Sequence, residues 1–434
     1  MSSPERSAHA ADGGGADRVW SVDDHLDDIL RRLTPLEPIE LQLLDAQGCV
    51  LVEDVTVPVA LPPFDNSSMD GYAVRVADVA GAGEDTAVVL KVIGDVAAGE
   101  AQLPTVGPGQ AARIMTGAPL PPGAQAVVPV EWTDAGHGAG PATTMRAHSA
   151  DPAGASGEVR VHRPVEPGAH VRARGSDAPV GEPALAAGTR LGPPQIALLA
   201  AIGRGQVLVR PRPRVVVLST GSELVPPGEE LGPGQIHDSN SYALAAAARE
   251  AGAIAYRVGA VADDAATLRA TIEDQLIRAD LIVTSGGVSV GAYDVVKEAL
   301  SELEFRKLAM QPGKPQGFGL IGADRTPLLA LPGNPVSSYV SFELFVRPVI
   351  RALMGLEPVR RETVTARCAA RISGSPEGKR QFLRGWYEDG AVTPVGGAGS
   401  HLVKALAHAN ALIVVPERST GIDEGAEVDV ILLG

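Results

Sequence analysis

The sequence predicts a multidomain α/β plus β protein. It comprises a doubly wound, mostly parallel α/β domain, β-rich domains before it and a small C-terminal β domain after it. Three observations carry this. From Pro213 to about Leu353, apolar runs alternate with stretches of helical periodicity, as a parallel sheet with crossover helices requires. Residues 38–210 hold short apolar segments cut by Gly and Pro instead. From Arg360 onward short alternating runs return, such as Ala411-Leu412-Ile413-Val414-Val415.

Ser21-Val22-Asp23-Asp24 has the form of a capping box. Val22, Leu26, Ile29, Leu30 and Leu33 follow at helical spacing, and Pro35 ends that helix. Cys49–Val52, Ala87–Leu90 and Gln125–Val128 read as strands, residues 133–157 as an exposed Gly/Ala-rich loop, and Pro193–Ile202 as a short helix. Val215–Leu218 is a strand ending in Ser219-Thr220-Gly221. Tyr242–Ala251 is helical, Ala253–Val261 a strand, and Asp264–Ala279 a helix with Leu268, Ile272, Leu276 and Ile277 on one face. Leu281–Val283 is a strand that breaks into Ser285-Gly286-Gly287 and Gly291, and a helix runs from Tyr293 to Leu303. A last helix spans Val336 to about Leu353.

A length of 434 residues allows two to four domains, and 45% hydrophobic residues suffice for real cores. The 50 glycines and 35 prolines stay below the level that marks disorder. A formal net charge of −15 argues against a nucleic-acid or acidic-membrane partner. It also means that any anionic ligand must be held by local cations, backbone N–H groups or metal. Cys49 and Cys368 form no CxxC and read as small buried residues in a reducing compartment. Residues 1–20 lack the apolar region of a secretory signal and read as a flexible tail, and no apolar run is long enough to span a membrane. These features predict a cytoplasmic location.

Chemistry concentrates in a few segments. A strand that opens through glycines into a helix exposes backbone N–H groups that bind oxyanions, so Ser285, Gly286, Gly287, Ser289 and Gly291 are candidates for phosphate binding. Asp294 stands in the same turn. A carboxylate beside an anion is repulsive unless a divalent cation lies between them, which points to magnesium. A tight turn whose glycines only fit the backbone explains the segment equally well. In a doubly wound sheet, ligands bind beyond the carboxyl ends of the strands, where Ser219, Thr220, Gly221 and Glu223 also fall. Glu223 reaches a cation or a ligand hydroxyl from there, or is merely a first-turn acid. Asp238 and Asn240 hold a ligand or cap the next helix. Lys307 and Lys314 flank a rigid Pro-Gly turn suited to phosphate, or face solvent. Gly333 and Asn334 form a tight turn into the last helix, whose N-terminus is again an anion site with Pro332, Asn334 and Pro335 as candidate binding residues, or is simple punctuation. In the β-rich part, residues 62–74 pack Asp65, Asn66, Ser67, Ser68 and Asp70 together, and Thr116 sits in a turn fixed by Gly and Pro. No Walker A motif is present, since Gly313-Lys314 is followed by Pro315, and the nine histidines lack metal-ligand spacing.

Eight segments in this order resemble the molybdopterin molybdotransferase (molybdenum insertase) family, seen also as the C-terminal catalytic part of gephyrin. They are FDNSSMDGYAVR (64–75), RIMTGAPLPPGAQAVVPVE (113–131), RARGSD (172–177), STGSEL (219–224), GQIHDSN (234–240), TSGGVSVGAYD (284–294), QPGKP (311–315) and LPGNPVSS (331–338). Each alone is weak, but the ordered set is very specific. The resemblance runs from about Ser21 to the C-terminus. It implies insertion of molybdenum, supplied as molybdate, into the dithiolene of adenylylated molybdopterin with release of AMP, and a requirement for Mg²⁺. It further implies an elongated homodimer with a site shared between chains. Molybdopterin adenylyltransferase and proteins that mature molybdoenzymes are the expected partners. Each chain would have a discontinuous linker domain (21–61 and 169–212), a β-rich domain (62–168), a doubly wound molybdopterin-binding domain (213–357) and a barrel-like C-terminal domain (358–434).

By the same resemblance, Glu223 and Asp294 position Mg²⁺ or the ligand, and Lys307 and Lys314 contact phosphate or molybdate. Asp70 and Thr116 complete the site from the partner chain. Asp177 and Asp263 match functional family acids, although Asp263 equally suits a cap for the helix starting near Asp264. Arg384 and Ser400 match positions near the cleft. Two departures stand out. Gln311 occupies a position where many members carry a lysine, which would weaken anion capture, and Ala292-Tyr293 replaces a more acidic pair. A specialised paralogue or a tungstate-handling member would fit both. Rival readings are an adenylyltransferase with a similar GGVSVG-like turn, a non-enzymatic scaffold and a binding protein without turnover. The DNSSMDGYAVR segment and extra β domains speak against the first, and retention of Asp70, Thr116, Glu223 and Asp294 against the others.

Overall fold

A computed structural model describes residues 18–99, 101–138, 142, 144, 157–288 and 295–434. Most of the expected tail and of the expected 133–157 loop lies outside the described residues, as do Ser289, Gly291, Ala292, Tyr293 and Asp294. The chain divides into two compact units, one comprising residues 1–40, 48–52 and 208–434 and the other residues 41–47 and 53–207.

The first unit is built on a seven-stranded sheet. Its order is Val19–Trp20, Glu304–Leu308, Pro315–Ile321, Thr326–Leu331, Leu281–Ser285, Arg214–Thr220, Ile254–Val261. The last four strands pair parallel, and Pro315–Ile321 joins them through an antiparallel hairpin. Alternating side chains face opposite ways along a strand, and here both faces are buried. Val215, Val217, Leu281, Val283, Leu329 and Leu331 pack with the helices Asn240–Glu250 and Pro335–Leu353. Val216, Leu218, Ile282, Leu328 and Ala330 pack with the helices Ala265–Leu276 and Val295–Ala299. This is the doubly wound arrangement that the sequence predicts. The chain runs from the 214–220 strand to the edge strand 254–261, then returns to 281–285 on the other side, so the strand order reverses between 214–220 and 281–285.

The hairpin over 304–331 is not anticipated in the sequence. Gly317, Gly319 and Gly322 have the spacing of a dinucleotide fingerprint but lie in or just beyond a strand. A Cβ at Gly319 would sit 2.7 Å from the Glu302 carbonyl oxygen, so its absence allows close packing. The last helix is α over Pro335–Ser341, π over Phe342–Val346 and α again over Arg347–Leu353. Pro348 explains the wide turn, because it has no N–H to donate to the carbonyl one turn back.

The Val22–Arg31 helix is capped by Ser21, whose hydroxyl accepts from the Asp24 N–H at 3.0 Å, and Val22, Leu26 and Ile29 join the α/β core. His25 on this helix is buried. Its ring meets Phe345 edge-on at 4.9 Å, and Arg306 approaches its Nδ1 at 3.3 Å. Burial first, then the Arg306 charge, push its pKa down to about 3. The unfolded chain takes up a proton near pH 6.5, whereas the folded chain takes it up only near 3. Stability from the neutral ring is therefore complete above pH 6.5 and falls as pH drops through that window. Between pH 7 and 4.5 this group is expected to cost the wild type about 2–3 kcal/mol. His25→Gln should lose that much less over the same range, read from urea denaturation at the two pH values. Equal losses in the two proteins would refute the assignment.

The C-terminal part of this unit is a closed five-stranded barrel. Strand Arg380–Glu388 pairs with both Ala391–Pro394 and Ala411–Val415, and Thr363–Cys368 and Glu427–Leu432 complete the ring. Leu383, Val392, Ile413 and Val430 fill its interior, whereas Phe382 joins the α/β core. Arg384 shares the face of Phe382 by strand alternation.

The second unit is β-rich, with a five-stranded sheet in the order Gly157–Val161, Val88–Val96, Gln110–Ile114, Gly71–Val74, Ala126–Pro129. A Cβ on Gly71 would lie 2.0 Å from the Val128 carbonyl oxygen, so this position must be glycine for the strands to pair. The Pro193–Ala201 helix forms where expected. Cys49 and Cys368 are both buried and unbridged. Among the described residues, no helix is long and apolar enough to cross a membrane.

Candidate functional site

At the carboxyl end of the sheet, strand order reverses between the strands that end in Ser219-Thr220 and in Ser285. Crossover connections leave in opposite directions there and open a crevice. A cavity of about 850 Å³ occupies it, lined by Thr220, Gly221, Glu223, Ser285, Gly286, Gly287, Asn334 and Pro335, among others.

The walls are tied by polar contacts. Asp238 is buried and accepts from the Ser219 hydroxyl at 2.9 Å, the Ser241 N–H at 3.1 Å and the Ser241 hydroxyl. It bonds the first turn of the next helix, as a capping role expects, and also anchors the 219–221 turn. Asn240 Nδ2 donates to Ser285 Oγ at 2.8 Å and to the Gly333 carbonyl at 2.7 Å, joining two strand ends. Asp263 does not cap the following helix. Asp264 does, accepting from the Thr267 N–H at 2.7 Å. Asp263 accepts from the Ser222 N–H at 3.0 Å instead and so braces the turn that carries Glu223.

The glycine turn differs in detail from its sequence reading. The Gly286 N–H is not free, since it donates to the Leu331 carbonyl at 3.1 Å. The Gly287 N–H has no partner among the described residues. Both glycines have positive φ, +97° and +66°. The Thr220 hydroxyl lies beneath them, buried and without a partner among the described residues.

A second cavity of about 480 Å³ is lined by Gln311, Gly313, Pro332, Asn334, Ser400 and His401, among others, and shares Val288, Gly333, Asn334 and His401 with the first. The Val336 N–H donates to the Ser400 carbonyl at 3.0 Å and holds the barrel loop against the last helix. Arg384 is buried. Its Nη2 donates to the Gly397 carbonyl, while Nε and Nη1 have no partner among the described residues, and burial pushes its pKa down. Lys307 lines a third cavity, of about 660 Å³, with Arg18, Trp20, Lys297 and Arg306. Lys314 is exposed.

In the β-rich unit, three motifs far apart in sequence converge. The Leu120 N–H donates to the Asp65 carbonyl at 2.9 Å, and the Arg174 N–H to the Asp65 carboxylate at 2.7 Å. Asp70 Oδ1 accepts from the Thr116 N–H at 2.7 Å and from its hydroxyl at 2.8 Å. Asp177 stands exposed in the same unit, its N–H donating to the Leu61 carbonyl at 2.9 Å.

Among the described residues, no group of three or more His, Cys, Asp or Glu is placed to hold a metal by itself. The donors of the larger cavity nonetheless suit Mg²⁺. Exposed Glu223 offers a hard carboxylate oxygen beside the glycine turn, and Mg²⁺ commonly takes one or two carboxylates together with phosphates and water. The sequence did not single out every lining residue. Asn240 was legible only as a cap or a ligand contact, and His401 carried no local signal.

Residues 20–203 match the family model for the MoeA N-terminal region (domains I and II). Residues 216–352 match a probable molybdopterin binding domain, and 365–433 match the MoeA C-terminal region (domain IV). The chain is 43% identical over 421 residues to molybdopterin molybdenumtransferase 2 of Mycobacterium tuberculosis, covering 94% of this chain and 98% of that protein. It is 34% identical to molybdopterin molybdenumtransferase of Bacillus subtilis, with 90% and 89% covered. A crystal structure of a molybdopterin biosynthesis MoeA protein from Pyrococcus horikoshii superposes with a TM-score of 0.73 at 35% identity, covering 96% of this chain and all of that one.

Proposed function

The chain belongs to the MoeA family of molybdopterin molybdenumtransferases, and from that premise we propose that it inserts molybdenum from molybdate into adenylylated molybdopterin. The adenylyl linkage is hydrolysed, AMP leaves and molybdenum cofactor forms. One observation above all supports this reading. The strand-end motifs surround a cavity of about 850 Å³ for a large polar ligand, and a smaller cavity adjoins it on the side of Gln311 and Ser400.

In this reading the larger cavity takes the adenylylated pterin. The Gly287 N–H donates to a phosphate oxygen, and Asn240 keeps the glycine turn against the Gly333 turn while the ligand binds. Glu223, with Asp294 from outside the described residues, would hold Mg²⁺. When bound, that ion would neutralise charge on the phosphates as the linkage breaks. The smaller cavity takes molybdate, with Ser400 and Gln311 as neutral donors and Arg384 behind the loop. Lys307 and Lys314 add positive charge at the approach. The protein acts as a cytoplasmic homodimer in which Asp70 and Thr116 enter from the partner chain. The Asp70–Thr116 hydrogen bonds fix that carboxylate in one rotamer, as a group acting on another chain's ligand requires.

The test is AMP release from adenylylated molybdopterin, with and without molybdate and Mg²⁺. Wild type is expected to release AMP only when both are present. Glu223→Gln removes a charge without changing shape and should lower kcat by about 100-fold. Tight pterin binding with no AMP release by the wild type would instead identify a binding protein without turnover.

A further inference from the structure

The smaller cavity poses an electrostatic problem. Taking a dianion out of water is costly unless charge or strong donors replace the water. Among its described lining residues, His401 is the one ionisable side chain, and the polar others, Gln311, Asn334, Ser337 and Ser400, are neutral. His401 also lines the larger cavity and so stands at the junction of the two. Its backbone is fixed by the Ser400–Val336 bond before it and by the Val403 N–H, which donates to the His401 carbonyl at 2.9 Å. Its ring lies over Gly399, where an added Cβ would come within 3.0 Å of Cε1 and 3.3 Å of Nδ1. Among the described residues the ring has no hydrogen-bond or ion-pair partner, so both ring nitrogens are available. His237, across the larger cavity, differs, since its Nε2 meets the Glu229 carbonyl at 3.0 Å.

We propose that His401, as imidazolium, is the residue that draws the oxyanion substrate into the smaller cavity and holds it beside the pterin. This rests on the reading of that cavity as the molybdate subsite. Protonated, the ring supplies a positive charge and an N–H donor where the wall is otherwise neutral. Histidine carries that charge only on the acid side of neutrality, so oxyanion affinity falls as pH rises. Other charged or titratable groups surround the ring. Lys404 and His408 lie on and just after the helix that follows, and Arg384 lies behind the loop. Glu223, Asp238, Asp263, Glu298 and His237 line the larger cavity. Among these, His237 and His408 are the other histidines.

The experiment is molybdate binding to the full chain by calorimetry at pH 6 and pH 8, at concentrations where molybdate stays monomeric. Wild type is expected to bind about tenfold more weakly at pH 8. H401Q should bind weakly at both values, whereas H401K, with a permanent charge, should bind at both values about as tightly as wild type does at pH 6. H237Q and H408Q should keep the wild-type profile. The proposal is overturned if H401Q retains the tenfold fall, if H401K follows the wild-type profile, or if H237Q or H408Q abolishes it. Wild-type molybdate binding that is absent, or equal at the two pH values, also overturns it. Failure of the transferase reading would show separately, as no molybdate-dependent AMP release by the wild type.

Discussion

Replacing Gly286 with alanine is expected to lower kcat/KM for AMP release by about 100-fold, the scale associated with misplacing a bound group by about an ångström. The added Cβ would lie 2.6 Å from the Thr220 carbonyl oxygen and 2.9 Å from its hydroxyl. That carbonyl belongs to a strand flanked by parallel partners on both sides, so the glycine turn must yield. The backbone φ of +97° adds strain for any L side chain, and stability should fall by about 1–3 kcal/mol. Gly374→Ala separates the two effects. Gly374 has φ +74° and open space around it, and it lines neither of the two cavities. It should lose stability alone and keep activity within about twofold, since surface changes away from a site rarely move function. If Gly286→Ala kept activity within a few-fold, the turn would not lie at the reacting phosphate.

The doubly wound domain was legible because its signal is local. Val215–Leu218 and Leu281–Val283 are short β-branched and aliphatic runs, and the intervening helices repeat at helical spacing. The 304–331 hairpin was illegible for the converse reason. Its Pro315–Ile321 strand carries two glycines whose absent side chains matter against Ala330, Phe305, Glu302 and Leu303, residues outside that strand. Asp263 and Asp264 show the limit for single polar residues. Either could cap a helix by sequence, and the choice depends on Ser222, 41 residues away from Asp263. Asn240 makes its decisive contact with Gly333, 93 residues on. Motif order fared better than motif chemistry, because converging loops leave ordered traces in the sequence while hydrogen-bond partners do not. The free amides expected of the glycine turn illustrate this, since a neighbouring strand already takes the one on Gly286.

The loss of Glu343 should do the largest damage to stability. Its carboxylate is almost fully buried and faces Arg361 with both oxygens, at 2.8 Å to Nε and 3.2 Å to Nη2, while Arg347 approaches at 3.9 Å. The pKa of Arg361 is pushed up by the Glu343 and Glu250 carboxylates despite its burial, and that of partly buried Tyr339 is also pushed up, by loss of solvent and by Glu343. Glu343→Ala leaves Arg361 with only the exposed Glu250 carboxylate at 2.7 Å, and Arg347 near it without the buried carboxylate that served both. Breaking a buried pair on one side typically costs about 3–5 kcal/mol, because the remaining charge stays out of water. Glu343→Gln keeps the shape and one acceptor and should lose less. Arg361→Met added to Glu343→Ala should recover part of the loss, since it removes the buried guanidinium left with the exposed Glu250 alone rather than restoring the pair. Chemical denaturation of the three variants decides the matter, and a cost below about 1 kcal/mol for Glu343→Ala would refute it, being no more than an exposed pair contributes. The consequence reaches the site through packing. Glu343 lies on the helix that begins at the Asn334 turn, and Arg361 lies where the chain enters the barrel. The barrel carries Ser400 and His401 to the smaller cavity. Pulling the two apart should therefore weaken molybdate binding more than pterin binding, whose walls belong mainly to the α/β sheet.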